Sequence, residues 1–412
     1  MEGKDGMLKL AIAAQLPLVA VRTRDSMNLH EVLREITKKA PQPWLPKAPI
    51  EKHKLYTFTW APKAELPLFS LYEKMVAAES TLILVNPPTV KEPMFDAGEV
   101  PVPRRLMMKF MTAVVDDEKK AEELLRGLGG CTIKEAAELA RLTMARDKSL
   151  TVKGLMETRK SSFQASSGLT QVAPKQSFYQ PPPQLVDWVA QEKPFFLHGT
   201  DPRLIPRGLL LDGPPGTGKT AAAKWLADQF GVPLYRVDIG GTKDKFVGAS
   251  EANMLLNLSR LDHEEPCAAL IDEVEKVFST SNTDLSGTTS TMLSQLLWWL
   301  AERRSRVLVV MTTNRAKALP RELYREGRID EVMWFGGLDE GQAVKFVISV
   351  LKTFTTMKFH EDDPEILAVV SDAFASSKIE GMNPPTVSQA ALTKGAYSFI
   401  KRLTAKNFAQ GG

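Results

Sequence analysis

Apolar positions alternate between two regimes along the chain. In residues 1 to about 158, short β-branched and apolar runs, "LVAVRT" (18–23), "KLYTFTW" (54–60) and "TLILV" (81–85), read as strands. Between them, "NLHEVLREI" (28–36) and "LFSLYEKMVAA" (68–78) carry helical spacing, with Asn28 as the expected cap of the first. A helical stretch follows from about 105 to 160. This first unit, 1–158, is an α/β domain without a Gly-rich phosphate loop, so tight nucleotide binding is not expected of it. Residues 159–184 are largely polar and end in three prolines, which predicts a linker, with Phe163 and Phe178-Tyr179 as candidates to dock on a neighbouring domain. From 185 the pattern becomes strand, loop, helix, repeated. The strands are "GLLLDG" (208–213), "PLYRVDI" (233–239), "CAALIDE" (267–273) and "RVLVVMTT" (306–313). Their near-continuous apolar character predicts a parallel sheet covered on both faces over 185–337. The tail, 338–412, reads as helical, with "GQAVKFVISVLKTF" (341–354) and "PTVSQAALTKGAYSFIKRL" (385–403) as its clearest pieces.

Composition narrows this picture only a little. Of 412 residues, 43% are apolar and 25% charged, as in ordinary soluble domains. The formal charge of +4 does not by itself imply nucleic acid. Residues 1–160 hold 26 Lys and Arg against 21 Asp and Glu, whereas 161–412 hold 27 against 28, so the basic excess is N-terminal. Its best patch is "ITKKAPQPWLPKAPIEKHK" (36–54), where Trp44 could stack on a base. No reader motif accompanies it. Two distant cysteines, Cys131 and Cys267, form no disulfide framework, and five His without paired spacing suggest no zinc site. Cys267 reads as a buried small residue. The opening "MEGKDGMLKLAIAAQLPLVAV" lacks a basic leader, and Gln15 and Pro17 interrupt its apolar run. No stretch reaches the roughly 20 apolar residues of a membrane span. The expectation is a reducing, cytoplasmic, membrane-free setting.

The chemistry concentrates in the third segment. "GPPGTGKT" (213–220) follows a strand and opens a helix, the context a phosphate-binding loop needs. Gly213, Gly216 and Gly218 let the backbone turn and aim N–H groups at phosphate oxygens, and the helix N-terminus adds partial positive charge. Gly213, Pro214, Pro215, Gly216, Thr217, Gly218, Lys219, Thr220 and Ala221 are the predicted ATP-binding residues. Lys219 is expected to reach the β- and γ-phosphates and Thr220 to hold Mg²⁺. "ALIDEVEKVF" (269–278) ends an apolar strand in two acids, which burial would penalise unless they serve the site. Asp272 is then a second Mg²⁺ ligand, and Glu273 the base for the attacking water. Glu275 and Lys276 read as surface charges. Asn314, ending "VLVVMTTN" (307–314), is placed to hold the water or the γ-phosphate if the sheet is doubly wound. In "LPRELYREGRIDE" (319–331), Arg325 and Arg328 flank Glu326-Gly327. They lie too far along the chain to return to their own nucleotide, and are either surface charges or arginines that serve a neighbouring subunit's site.

"GPPGTGKT", "IDE", "TTN" and "REGRIDE", in this order, resemble the AAA-type ATPases of the AAA+ superfamily over about 185–335. Within that group, "LPRELYREGRIDEVMWF" (319–335), "STMLSQLLWWLAE" (290–302) and "GGCTIKEAAELARLTMA" (129–145) are similar to the AAA proteins of cyanobacteria and plastids known as a hypothetical chloroplast reading frame. The resemblance implies an α/β fold: an AAA+ P-loop core, its parallel sheet sandwiched by helices, with a C-terminal helical lid and an N-terminal α/β domain. It implies ATP hydrolysis with Mg²⁺ and a homo-oligomeric, hexameric ring, but does not supply the substrate, for which a protein and a nucleic acid both stay open. It also gives "KFVG" (245–248) the pattern of a pore loop, with Lys245, Phe246 and Val247 facing the ring's channel. An aromatic there would grip an extended chain by apolar contact whatever its sequence. Alternatively, Phe246 packs back on its own domain. "STSNTDLSGTTS" (279–290) would be a weaker second pore loop. The lid departs from the family pattern: "EGMNPPTVSQAA" (380–391) inserts Asn383-Pro384-Pro385 after Gly381, where proline suits a helix start, and offers no arginine toward the phosphates. H-E-x-x-H is absent, so the chain has no metalloprotease motif of its own. Two functions remain open, a protein-remodelling ring motor and a nucleic-acid-associated ATPase.

Overall fold

The computed structural model describes residues 6–25, 28–46, 48–61, 64–100, 102–162, 169–172, 178–239, 249–278, 287–303, 305–325 and 327–410. The chain divides into two compact units, Met1–Thr158 and Arg159–Gly412.

The first unit contains α1 (Gly6–Ala13), β1 (Leu18–Arg22), α2 (Leu29–Thr37), β2 (Gln42–Pro43), β3 (Leu55–Thr59), α3 (Leu68–Ala77), β4 (Thr81–Val85) and β5 (Phe95–Glu99). Its five strands form a parallel sheet in the order β2-β3-β4-β1-β5. The central β4 is buried along its whole length, as a strand covered on both faces must be. Two elements escape the apolar pattern. The leader-like opening is the helix α1, which buries Leu8, Ala11 and Ile12. The edge strand β5, "FDAGE", has little β-propensity and forms because its backbone completes β1. Asn28 does precede α2, but its side-chain amide donates to Asp25 Oδ1 (2.9 Å) and caps nothing. Trp44 is 7% exposed, edge-on to Phe58, with its indole N–H donated to Ala48 O. It is core and is not available to stack on a base. The helical remainder is α4 (Arg104–Val115), α5 (Glu118–Leu124), α6 (Ile133–Asp147) and most of α7 (Val152–Ser162), whose last residues, from Arg159, belong to the second unit; a reciprocal Thr132/Glu135 capping box starts α6.

The second unit begins with β6 (Leu169–Val172), α8 (Pro183–His198), β7 (Gly208–Asp212), α9 (Lys219–Phe230), β8 (Leu234–Val237) and α10 (Ala249–His263). It continues with β9 (Cys267–Ile271), α11 (Glu275–Phe278), α12 (Gly287–Glu302), β10 (Val307–Thr313) and β11 (Glu331–Trp334). The sheet order is β11-β7-β10-β9-β8-β6, parallel except for β6. Separate apolar cores cover its two faces: Met254, Leu296 and Met311 on one, Trp188, Phe196 and Phe230 on the other. Cys267 is fully buried.

The 159–184 segment is more than a linker. β6 pairs antiparallel with β8 and shields an edge that would otherwise expose its ladder groups. Phe178 packs on Phe346 and Tyr397, and Tyr179 on Trp225. Phe163 lies outside the described residues.

The lid comprises α13 (Glu340–Leu351), α14 (Pro364–Ser377), β12 (Lys378–Ile379), β13 (Thr386–Val387) and α15 (Gln389–Gln410). Pro384 and Pro385 do not start the last helix. They lie in the hairpin joining β12 to β13, because Thr386 and Val387 pair with Ile379 and Lys378, and α15 begins only at Gln389.

A buried ion pair ties the start of this unit to its core. Arg159 and Glu264 are both nearly inaccessible and in direct contact, and Tyr235 donates its hydroxyl to the same Glu264 oxygen at 2.8 Å. Removing one partner takes away an opposite charge buried in contact with the other. Arg159→Met is therefore expected to lower stability by about 3 kcal/mol, read from urea denaturation. Arg159→Met/Glu264→Leu should recover much of that loss.

Candidate functional site

The site grows from the carboxyl ends of three neighbouring strands, β7, β10 and β9. Each is an apolar run that gives way to polar residues at or just beyond its carboxyl end. β7 ends in Asp212, and the chain then turns through Gly213, whose φ is 145°. A Cβ there would collide with Phe335 O of β11's extension, so only glycine lets the loop pass. Thr217 Oγ donates to Pro214 O (2.9 Å), closing the loop on itself. Gly218, at φ 96°, is the N-cap of α9. The amides of Lys219, Thr220 and Ala221 thus form the first turn of a twelve-residue helix, where N–H groups have no intrahelical acceptor and suit an anion.

Lys219 is 8% exposed. Its ammonium donates to Gly213 O (2.5 Å), Pro214 O (2.8 Å) and Asn314 Oδ1 (3.0 Å). Burial pushes it below its ordinary lysine pKa, against the pull of Asp212, Glu275, Asp272 and Glu273. Thr220 Oγ donates to Asp272 Oδ1 (3.0 Å), which also accepts from Thr312 Oγ (2.6 Å). Thr312 in turn accepts the backbone N–H of Glu273 (2.9 Å). One hydroxyl therefore orients both acids. Thr220 and Asp272 present hard oxygen donors side by side, a set that fits Mg²⁺ held by few protein groups together with phosphate. Among the described residues, no cluster of three or more His, Cys, Asp or Glu is placed to hold a metal.

Glu273 has φ 53°, an unfavourable conformation for a non-glycine residue, which turns it out of line with β9. Its Oε2 accepts from Lys276 Nζ at 2.5 Å, and this bond raises the Lys276 pKa.

Glu275 is not the surface charge its sequence context suggests. Its Oε1 accepts both the backbone N–H (3.1 Å) and the side-chain amide (3.0 Å) of Asn314, and its Oε2 is buried without a hydrogen-bond partner. Asn314, so clamped, turns its oxygen toward Lys219. Asp212 accepts from Ala316 N (3.1 Å), fixing the chain just beyond Asn314. Asp212, Thr312 and Glu275 were not singled out by sequence reasoning. The one available signal was the switch from apolar to polar at the strand ends "LLLDG" and "VVMTTN".

The remaining candidates lie elsewhere. Arg325 and Arg328 precede β11, where Asp330 accepts the N–H groups of Arg207 (2.6 Å) and Gly208 (2.8 Å). That is the amino end of the sheet, a strand length of about 15 Å from the loop at its carboxyl end. Arg325 is exposed, and Arg328 donates to Glu322 O (2.6 Å). The structure does not bring them to Lys219 of the same chain. Lys245, Phe246 and Val247 lie outside the described residues, as does 279–286 of the second pore-loop candidate. The lid, by contrast, touches the phosphate loop directly: Ala390 N donates to Gly216 O (3.1 Å).

A loop followed by a helix at the end of β7, acids just past β9 and an asparagine just past β10 define a P-loop ATPase core with a helical lid. Residues 209–337 match the ATPase family associated with various cellular activities (AAA), and the chain carries an AAA ATPase domain. It is 38% identical over 178 residues to the uncharacterized AAA domain-containing protein ycf46 of Guillardia theta, covering 43% of this chain and 35% of that protein. With the ycf46 protein of Gracilaria tenuistipitata var. liui it shares 36% identity over 43% of this chain and 36% of the relative. It is also 31% identical to the chloroplastic ATP-dependent zinc metalloprotease FTSH 2 of Arabidopsis thaliana, over 46% of this chain and 27% of that protein. The matched part thus spans about a third of the ycf46 relatives' length and about a quarter of the FTSH 2 protein's.

Because Glu275 alone clamps both amide groups of Asn314, Glu275→Ala is expected to lower ATP turnover about tenfold while nucleotide binding persists. Steady-state phosphate release beside equilibrium nucleotide binding measures this. Asn314→Ala should add little to it, as for two members of one network.

Proposed function

We propose that this chain is an ATP-driven remodelling motor for proteins, acting as a homo-oligomeric ring. The hydrogen-bonded constellation of Lys219, Thr220, Asp272, Glu273 and Asn314 at one edge of the sheet carries the reading. In this assignment the loop amides and Lys219 bind the phosphates of ATP. Thr220 and Asp272 hold Mg²⁺, which neutralises phosphate charge when bound. Glu273 takes a proton from the attacking water, once free of Lys276, and Asn314 orients that water or the γ-phosphate. Arg325 and Arg328, remote from their own loop, act on the nucleotide of the next subunit. Phe246 grips the substrate chain with Lys245 and Val247 beside it, an assignment that rests on the sequence. The metalloprotease relatives support a polypeptide substrate. The burial of Trp44 takes base stacking away from the nucleic-acid reading, whose remaining feature is the basic excess of residues 1–160. No helix among the described residues is long and apolar enough to cross a membrane.

Lys219→Ala should lose ATP binding, and Glu273→Gln should bind ATP but hydrolyse it at least a hundredfold more slowly. Tight binding by the first or normal turnover by the second would remove the assignment. A Glu273→Gln chain held in ATP should retain a protein client through nuclease treatment and lose it in Glu273→Gln/Phe246→Ala. A client released by nuclease would point to nucleic acid instead.

Arg325→Ala and Arg328→Ala should each abolish turnover alone. Mixed with Glu273→Gln chains, they should regain part of it, since a subunit with an intact base would then face a neighbour with intact arginines. No recovery at any mixing ratio would argue against action across a subunit boundary.

A further inference from the structure

Residues 178–180 run as a strap between the lid and the phosphate loop. Phe178 is seated in the lid core, its ring edge-on to Phe346 (6.0 Å) and Tyr397 (6.4 Å). The next residue, Tyr179, belongs to the opposite core and packs 6.2 Å from Trp225 of α9. After Gln180 come three prolines, with Pro182 extended (φ −67°, ψ 147°) and Pro183 opening α8. Fixed φ angles leave the strap little freedom to move apart from α8.

Gln389, the first residue of α15, meets this strap above the loop. It is 7% exposed, and its Nε2 donates to Gln180 O at 2.9 Å. A Cβ built on Gly218 would stand 3.2 Å from both Cδ and Nε2 of Gln389, and 3.1 Å from Tyr179 Cε2. The Gln389 amide and the Tyr179 ring thus lie directly on the glycine whose backbone opens α9. Ala390, one residue on, is hydrogen-bonded to Gly216. The Tyr179 hydroxyl is buried with no hydrogen-bond partner, a costly state for a polar group unless another state of the site satisfies it.

We propose that Gln389 is a latch that governs nucleotide access, closing the 178–180 strap over Gly218 through its bond to the Gln180 carbonyl. The proposal rests on the P-loop reading above. In this proposal a nucleoside triphosphate reaches the amides of Lys219 and Thr220 past Gly218, and the Gln389–Gln180 bond breaks or exchanges as it enters. Opening exposes two polar groups, the Gln180 carbonyl and the Tyr179 hydroxyl, to the incoming ligand. Because Gln389 begins α15, the same event loosens the start of the lid's last helix, which the Ala390–Gly216 bond still ties to the loop. The latch thereby couples loop occupancy to lid position without an arginine.

The test is stopped-flow association of a fluorescent ATP analogue with the full chain, in the wild type, Gln389→Ala and Gln389→Glu. Losing one neutral hydrogen bond should raise the association rate about fivefold in Gln389→Ala. Gln389→Glu keeps the size but sets a carboxylate against the Gln180 carbonyl, so it should speed association at least as much. Rates within twofold of wild type in both variants, or slower binding in either, overturn the latch. That failure is distinguishable from failure of the P-loop reading: there the wild type itself would not bind the analogue, or Lys219→Ala would bind it equally.

Discussion

The parallel sheet of the second unit imposes the constraint on which the rest depends. Its central strands β7, β9 and β10 are buried on both faces, so charged groups are excluded from their buried length. Parallel strands also end on the same side. Every polar residue that β7, β9 and β10 carry beyond their apolar runs is therefore delivered to one edge. Asp212, Asp272, Glu273, Thr312 and Asn314 meet because the sheet has nowhere else to put them.

Once assembled there, these residues must offset one another's charge. Lys219 is the buried cation at the centre, and four carboxylates oppose the effect of its burial. Neutral groups set the geometry. Thr312 bridges Asp272 and Glu273, and Asn314 connects Lys219 to Glu275. The loop, the acids and the asparagine thus form one network, in which moving one member disturbs the others.

The segment 159–184 joins the lid to the core from outside. Arg159 reaches the buried Glu264, β6 covers the edge of the sheet, and Phe178 and Tyr179 enter two different cores. A chain that looks like a spacer is bound at several points, and its Tyr179 lies on the phosphate loop.

Local sequence patterns determined β1, β3, β4 and β7 to β10, the doubly covered core and the phosphate loop, because strand burial and loop chemistry are local properties written in adjacent residues. They also marked Asp272, Glu273 and Asn314, since acids and amides at the end of an apolar strand are locally conspicuous. Only the tertiary structure decided that Glu275 faces inward on Asn314, that Trp44 is core, that β5 and β6 are strands, and that Gln389 lies on Gly218. Each of these depends on a partner 14 to 171 residues away. Side-chain type does not specify such a partner; the packing of the folded chain does.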